Sequence, residues 1–425
     1  MRSDFEPLGK YIRKVNDRND NSEIETLKGI NIDKEFMPSV ANTIGSNMSR
    51  YRVVSQWQFA YNPMHVGRDE ILPISMLKED RKVIVSPAYV VFEIKDHNQL
   101  NPEYLMMWCR RSEFDRNAWF TTDNSVRGGF SWESLCEMEL PVPSIEKQRE
   151  IVAEYNAVVD RIQLNEQINQ KLEETAKAIY RHWFEEFEFP ISKEYAESIG
   201  KPELEGQPYK SSGGEMVYNE ELDEEIPKGW DAFYLGDMIT HKKGFAFKSK
   251  YYRSSGAKVV KVSNFTSNSI DITDCNHIDN AKAQEFKEYE LEKYDIVIST
   301  VGSWPSNPAS VVGKVISAPS LAAGSLLNQN TVRLRTNDNC KQAILYFALK
   351  RKSFSNFVIS GARGSANQAS VTLKHLFSYK IALPKNNYPR LFKDFLDIRY
   401  KNETLNILLD KLRGILEIQL SRKIN

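Results

Sequence analysis

The 425-residue chain is 41% hydrophobic and 11% aromatic, enough to bury more than one core, which excludes a disordered chain. Its formal net charge is +0, so overall basicity neither announces nor forbids a nucleic-acid partner. No run approaches the roughly 18 uncharged apolar residues of a membrane span. Met1–Glu6 has no apolar stretch, so no secretory leader is expected. Cys109, Cys136, Cys275 and Cys340 form no Cys-x-x-Cys pair, which points to reduced thiols in a cytoplasmic protein.

In chain order, the first segment alternates short apolar runs such as Val83-Ile84-Val85 and Tyr89–Ile94 with turn residues, predicting strands, and holds one helix over about Asn101 to Phe114. Pro143 closes a strand. Ser144 is then a helix cap, and Ile151, Tyr155, Val158, Ile162, Ile168, Leu172, Thr175 and Ile179 recur at helical spacing. A stripe this long presents a seam to a partner helix, with Asn165 on it as a register-setting polar residue. Phe189 to Glu225 is rich in Gly, Pro, Ser and acids and reads as an extended, solvated connector. A second mixed segment follows, with strands at Asp295–Ser299 and Thr331–Arg335 and a helix over about Lys341 to Ser355. The last segment repeats the seam through Leu391, Phe395, Ile398, Asn402, Leu405, Leu409, Leu412 and Leu416.

The halves repeat one another. Leu8-Gly9-Lys10-Tyr11-Ile12 returns as Leu235-Gly236-Asp237-Met238-Ile239. SWESLCEMELPVP (Ser131 to Pro143) returns as TLKHLFSYKIALP (Thr372 to Pro384), and Asn165–Leu172 as Asn402–Leu409. Offsets of about 230–240 residues are far too long for a solenoid and mean one large unit duplicated.

Leu140-Pro-Val-Pro143 followed by Glu146-Lys-Gln-Arg-Glu-Ile151 opens a set of markers. Ala178-Ile-Tyr-Arg-His-Trp-Phe-Glu-Glu-Phe-Glu-Phe-Pro190 and Ile226-Pro-Lys-Gly-Trp230 with Leu235-Gly236-Asp237 complete it. With these the chain resembles the specificity subunit of type I restriction-modification systems, over nearly its whole length. The second copy departs from the pattern, because Pro384 is followed by Lys-Asn-Asn-Tyr-Pro389 without the Glu-x-Gln stretch. The resemblance implies that each target-recognition domain reads half of a split double-stranded DNA site. It also implies that two modification subunits, which bind S-adenosylmethionine and methylate adenine, dock on paired antiparallel helices. Restriction subunits carrying the ATP- and Mg-dependent motor and nuclease would complete the assembly, with no membrane and no cofactor on this chain. A helix of about 35 residues is ~50 Å long against ~34 Å per turn of B-DNA, the scale of a spacer between half-sites.

Catalytic alternatives find little support in the residues. Asn62-Pro63-Met64-His65 lacks the second proline and the stacking aromatic of adenine methyltransferases, and reads as a turn leaving a strand. The six histidines show no metal spacing, and there is no phosphate loop of the GxxxxGK[ST] kind. For DNA contact, basic groups beside amides suit phosphates and base edges. In the first domain these are Arg50, Arg52, Tyr61, Asn62 and Arg127; in the second they are Lys242, Lys243, Phe245, Lys248, Trp304, Asn307, Arg363, Asn367 and Gln368. Helix pairing is assigned to Ile162, Asn165, Ile168, Leu172, Ile179, Ile398, Asn402, Leu405, Leu409, Leu412 and Leu416.

The expected architecture is α+β. A first recognition domain (1–143) leads to a central helix (144–188), a connector (189–225), a second recognition domain (226–385) and a distal helix (386–425), as a pseudo-two-fold repeat. The expected function is non-catalytic DNA specificity. The alternatives are a stand-alone DNA methyltransferase and a coiled-coil adaptor or decoy that reads no DNA.

Overall fold

A computed structural model describes residues 5–39, 47–64, 70–122, 129–304, 311–365 and 368–419. The chain divides into two compact units, Met1–Gln163 with Ile407–Asn425, and Leu164–Asn406. The division falls within both long helices, so each unit owns part of each.

The first unit is built on an antiparallel sheet whose strands run Ile12–Val15, Val90–Ile94, Phe59–Tyr61, Ile74–Met76 in spatial order. The second has Thr240–Lys243, Thr331–Arg335, Ile296–Ser299, Val315–Ser317 in the same arrangement. The duplication read from the sequence is therefore a duplication of sheet topology. Each sheet is covered by a buried helix started by a side-chain cap. Asn101 accepts from the Glu103 and Tyr104 amides ahead of Pro102–Cys109, and Asp338 accepts from the Lys341 amide at 2.7 Å ahead of Asn339–Leu349. The single helix expected in each domain is broken. Arg111 and Arg351 adopt extended backbone and start second helices, Ser112–Phe120 and Lys352–Ser360.

Each unit closes with the same device. A short helix capped by Ser131 or Thr372 (Trp132–Glu137; Leu373–Phe377) leads into a strand that returns to the domain's start. Glu139–Pro141 pairs antiparallel with Phe5–Pro7, and Lys380–Pro384 with Trp230–Tyr234.

The long helices span Ile145–Phe184 (40 residues) and Leu391–Gln419 (29 residues). The second starts late because Pro389 interrupts the chain after the closing strand. They run antiparallel. Within the second unit Asn165 meets Asn406, Asn169 meets Asn402 and Glu173 meets Arg399; within the first, Tyr155 meets Glu417. The buried line on the first helix is Gln148, Val152, Tyr155, Val158, Ile162, Asn165, Glu173, Ala176, Tyr180 and Phe184. Ile168, Ile398 and Leu412, assigned to the seam from sequence, are 37%, 43% and 42% exposed and lie off it. The reason is that the seam continues through polar residues, which an apolar count steps around. Leu172, Ile179, Asn402, Leu405, Leu409 and Leu416 are half-buried.

The segment expected to be an extended connector is instead folded. It carries a helix (Lys193–Ser198) and an antiparallel hairpin (Met216–Asn219 with Glu224–Pro227) over buried Ile191, Ala196 and Tyr209. Phe189 stacks on Tyr209 (4.6 Å between ring centroids) and on Trp230 (5.2 Å). These rings supply a core that the Gly- and acid-rich composition concealed. A Cβ on Gly214 would stand 2.4 Å from the Tyr209 ring, so the chain passes there only as glycine.

Among the described residues no helix is long and apolar enough to cross a membrane.

Candidate nucleic-acid interface

In the second unit, backbone pairing gathers segments that lie far apart in sequence. Lys243 pairs with Val332, and Thr331 with Ser299. One residue further, Val301–Gly302 pairs with Ala369–Ser370, whose other neighbour is Arg363–Gly364. The predicted stretches around Lys243, Trp304 and Arg363–Gln368 are thus consecutive strands or their immediate ends. Two glycines permit the closeness. A Cβ on Gly244 would meet the Asn328 carbonyl oxygen at 1.8 Å, and one on Gly364 the Gln368 carbonyl oxygen at 1.9 Å.

The side chains on this surface differ in availability. Lys243, Lys248, Arg363 and Gln368 are exposed. Lys242 is engaged: it pairs with Glu288 and lies over the Tyr289 ring at 4.7 Å. Phe245 is half-buried in an aromatic cluster, 5.1 Å from Phe247, 4.9 Å from Phe286 and 5.3 Å from Tyr289. It supports the surface from beneath rather than offering a free ring. Trp304 is half-buried, and Asn307 and Asn367 lie outside the described residues.

The first unit gathers its segments by the equivalent contact. The Phe130 amide donates to the Pro63 carbonyl at 2.9 Å, as the Val371 amide does to Thr300 at 3.0 Å. The end of the Asn124–Gly129 stretch therefore returns to the turn at Asn62; Arg127 itself lies outside the described residues. Asn62 stabilises that turn, its side chain accepting from the Met64 amide at 3.1 Å. Tyr61 is no surface residue. It is fully buried against Phe92 and Phe130, because the alternation of its strand yields to a sheet covered on both faces. Arg50 is exposed at the end of a turn capped by Asn47, whereas Arg52 donates to Asn16 (3.1 Å) and to the Pro87 carbonyl (3.3 Å).

The model of the type I restriction modification DNA specificity domain matches residues 71–174 and again 227–406, more than half of the chain. The chain belongs to this family. The specificity subunit of the type I restriction enzyme MjaIX from Methanocaldococcus jannaschii is 34% identical over 111 residues, 26% of this chain and 21% of that protein. That of EcoAI from Escherichia coli is 31% identical over 109 residues, 26% of this chain and 18% of that protein. The aligned stretches thus span about a fifth of these relatives' length. A solved type I restriction-modification S subunit from M. genitalium superposes with a TM-score of 0.50 at 12% identity, over 99% of this chain and 94% of that one. At that identity the likeness concerns the fold.

The sequence reading of the second specificity domain missed Gln329 and Asn330. Both are exposed on the turn that enters the Thr331–Arg335 strand, which lies between the Lys243 and Ser299 strands; there Gly244 donates to Thr331 and Thr300 to Asn330. Asn330 holds a left-handed backbone (φ 68°), a conformation asparagine tolerates. The available signal was the amide run Asn328-Gln-Asn330 between two apolar strands. Among the described residues no group of three or more His, Cys, Asp or Glu side chains could hold a metal ion, and the four cysteines are free.

Proposed function

We propose that this chain is the DNA specificity subunit of a type I restriction-modification complex, each recognition domain reading one half of a bipartite double-stranded site. The observation that carries this reading is the duplication itself. Both domains share strand order, closing device and gathering contact, while the residues they display differ: Lys243, Lys248, Arg363, Gln368, Gln329 and Asn330 in one, Arg50 and Asn62 in the other. Equal scaffolds with unlike surfaces suit two unrelated half-sites. Exposed lysine and arginine neutralise phosphates, and amides reach base edges.

In this reading the paired helices dock two adenine-N6 methyltransferase subunits. Those subunits hold S-adenosylmethionine, restriction subunits hold ATP and Mg, and this chain carries no cofactor and performs no chemistry. The test is co-expression with the modification subunit and genome-wide mapping of N6-methyladenine. A single split motif with a fixed unspecified gap is expected. Stable assembly without new methylation favours an adaptor that reads no DNA, and stoichiometric binding of S-adenosylmethionine by the purified chain favours a stand-alone methyltransferase.

A further inference from the structure

The two long helices share a motif outside the candidate interface: Asn165-Glu-Gln-Ile-Asn169 in the first and Asn402-Glu-Thr-Leu-Asn406 in the second. In the folded chain the four amides meet, all within the second unit. Asn165 Nδ2 donates to Asn406 Oδ1 at 2.7 Å, and Asn402 Nδ2 donates to Asn169 Oδ1 at 2.8 Å. Asn165 and Asn402 are equivalent residues of the repeat, as are Asn169 and Asn406, so the two bonds exchange under the repeat's symmetry.

Asn165 is fully buried, and its Oδ1 has no hydrogen-bond partner; the other three are half-buried. Apolar residues would fill these positions at lower cost, because a buried amide needs its partners. What amides add is selection of register. Sliding one helix by a turn would set Asn165 opposite Asn402 but leave Asn169 facing Ile398 and Asn406 facing Arg161. Helix residues that enter domain cores are Val152 and Tyr155 in the first unit, and Ala176, Tyr180, Phe184, Phe392, Leu396 and Tyr400 in the second. The amide stretch belongs to neither apolar set; within it Glu403 accepts from Ser269 at 2.8 Å, and the amide pairs are its contacts across the seam.

We infer that the paired Asn-Glu-x-x-Asn motifs are a register lock. They fix which residues of the two helices face each other, and through that the gap the complex accepts between half-sites. The second part rests on the specificity reading above; the first stands without it.

The test uses the full chain with spin labels at exposed Gln167 and Arg390, both in the second unit and well separated along the helix axes. The wild type should give one narrow distance. Asn165→Leu, Asn169→Leu, Asn402→Leu and Asn406→Leu combined should add a second population displaced by several ångströms, the projection of a one-turn slip of ~5.4 Å along the axis. In the complex with the modification subunit, methylation at sites of altered gap should rise at least about tenfold. An unchanged single distance overturns the lock, whatever the methylation shows. Spread distances in a chain whose wild type methylates no split motif leave the lock standing and sink the specificity reading. Should the fourfold variant aggregate, Asn165→Leu plus Asn406→Leu takes its place. The lock requires the double change, which removes one whole amide pair, to broaden the distance beyond the wild type, and a distance as narrow as the wild type's overturns it.

Discussion

The two units share a topology but seat themselves on the long helices by different chemistry. In the first, the fully buried Gln148 amide donates to the Gln99 and Pro143 carbonyls (2.9 and 2.8 Å) and accepts from the Asn101 amide at 2.8 Å. Tyr155 donates to Glu417 at 3.0 Å. In the second, a buried charge does this. Arg399, 4% exposed, pairs with Glu173 at 3.1 Å and Glu403 at 3.3 Å, and donates to Tyr346. Burial opposes the Arg399 charge, but Tyr346, Tyr400, Glu403 and Glu173 around it hold the guanidinium above its usual range; burial pushes Glu403 up. The repeat equivalents of Arg399 and Glu173 are Ile162 and Asp410, so the first unit has no counterpart of this pair. One scaffold thus accepts either a neutral or a charged seat. The charged one is not the more stable by right, but it is the more costly to break.

The largest effect is therefore expected from Arg399→Ala, which leaves buried Glu173 to Lys177 and Tyr346 and removes the guanidinium from Glu403. It should destabilise the second unit by about 3–5 kcal/mol. Hydrogen exchange resolves the units: protection should fall along Ile296–Ser299 and hold along Phe59–Tyr61, the equivalent strand of the first. Arg399→Met with Glu173→Leu should recover part of the loss, because it removes the Glu173 charge while Glu403 keeps its hydrogen bond from Ser269. A cost below about 1 kcal/mol for the single variant would mean that Lys177 and Tyr346 suffice for Glu173.

The same contrast marks what was legible in the sequence. The duplication, the closing strands at Pro143 and Pro384 and the two long helices could be read because glycine, proline and apolar spacing report backbone geometry directly. The seam was read only in part. Gln148, Asn165 and Glu173 are buried through partners far along the chain, and nothing local distinguishes them from solvated residues. Tyr61 failed for the opposite reason: its place beside the Asn62-Pro63 turn among flanking aromatics suggested a surface, yet the ring is core. The candidate interface was legible as regions, since turn chemistry is local. Which lysine is free and which is tied to Glu288 depends on folding.

Glycines sharpen the comparison at a smaller scale. Gly9 and Gly236 are equivalent, each in a tight turn laid against the closing helix. A Cβ on Gly9 would stand 2.8 Å from Cys136 Cβ and 3.1 Å from its carbonyl oxygen; on Gly236 it would stand 3.0 Å from Phe377 Cβ and 3.4 Å from the carbonyl. Gly9→Ala should cost about 1–3 kcal/mol and Gly236→Ala about 1 kcal/mol or less. Denaturant midpoints of the two variants measure the order, and a reversed order would show that the first turn relaxes more freely.

The smallest expected effect comes from acid. Burial alone would raise the Asp397 carboxyl, but hydrogen bonds from Lys293, Lys393 and Tyr294 outweigh it and hold the group down at about 2, against an ordinary value of 3.8. A depressed folded-state pKa means that the unfolded chain binds the proton first as pH falls. The stabilisation is complete above about pH 4 and drains away as pH falls towards 2. With the side chain 21% exposed, solvent screening reduces it to about 1 kcal/mol. The repeat equivalent, Asp160, is exposed on the first helix. Acid should therefore loosen the second unit's hold on its helix ahead of the first unit's, and Asp397→Asn should remove that difference. Hydrogen exchange at pH 5 and pH 3 tests it: equal acid sensitivity of the two units in the wild type would show that the Asp397 cluster contributes nothing beyond a solvated ion pair.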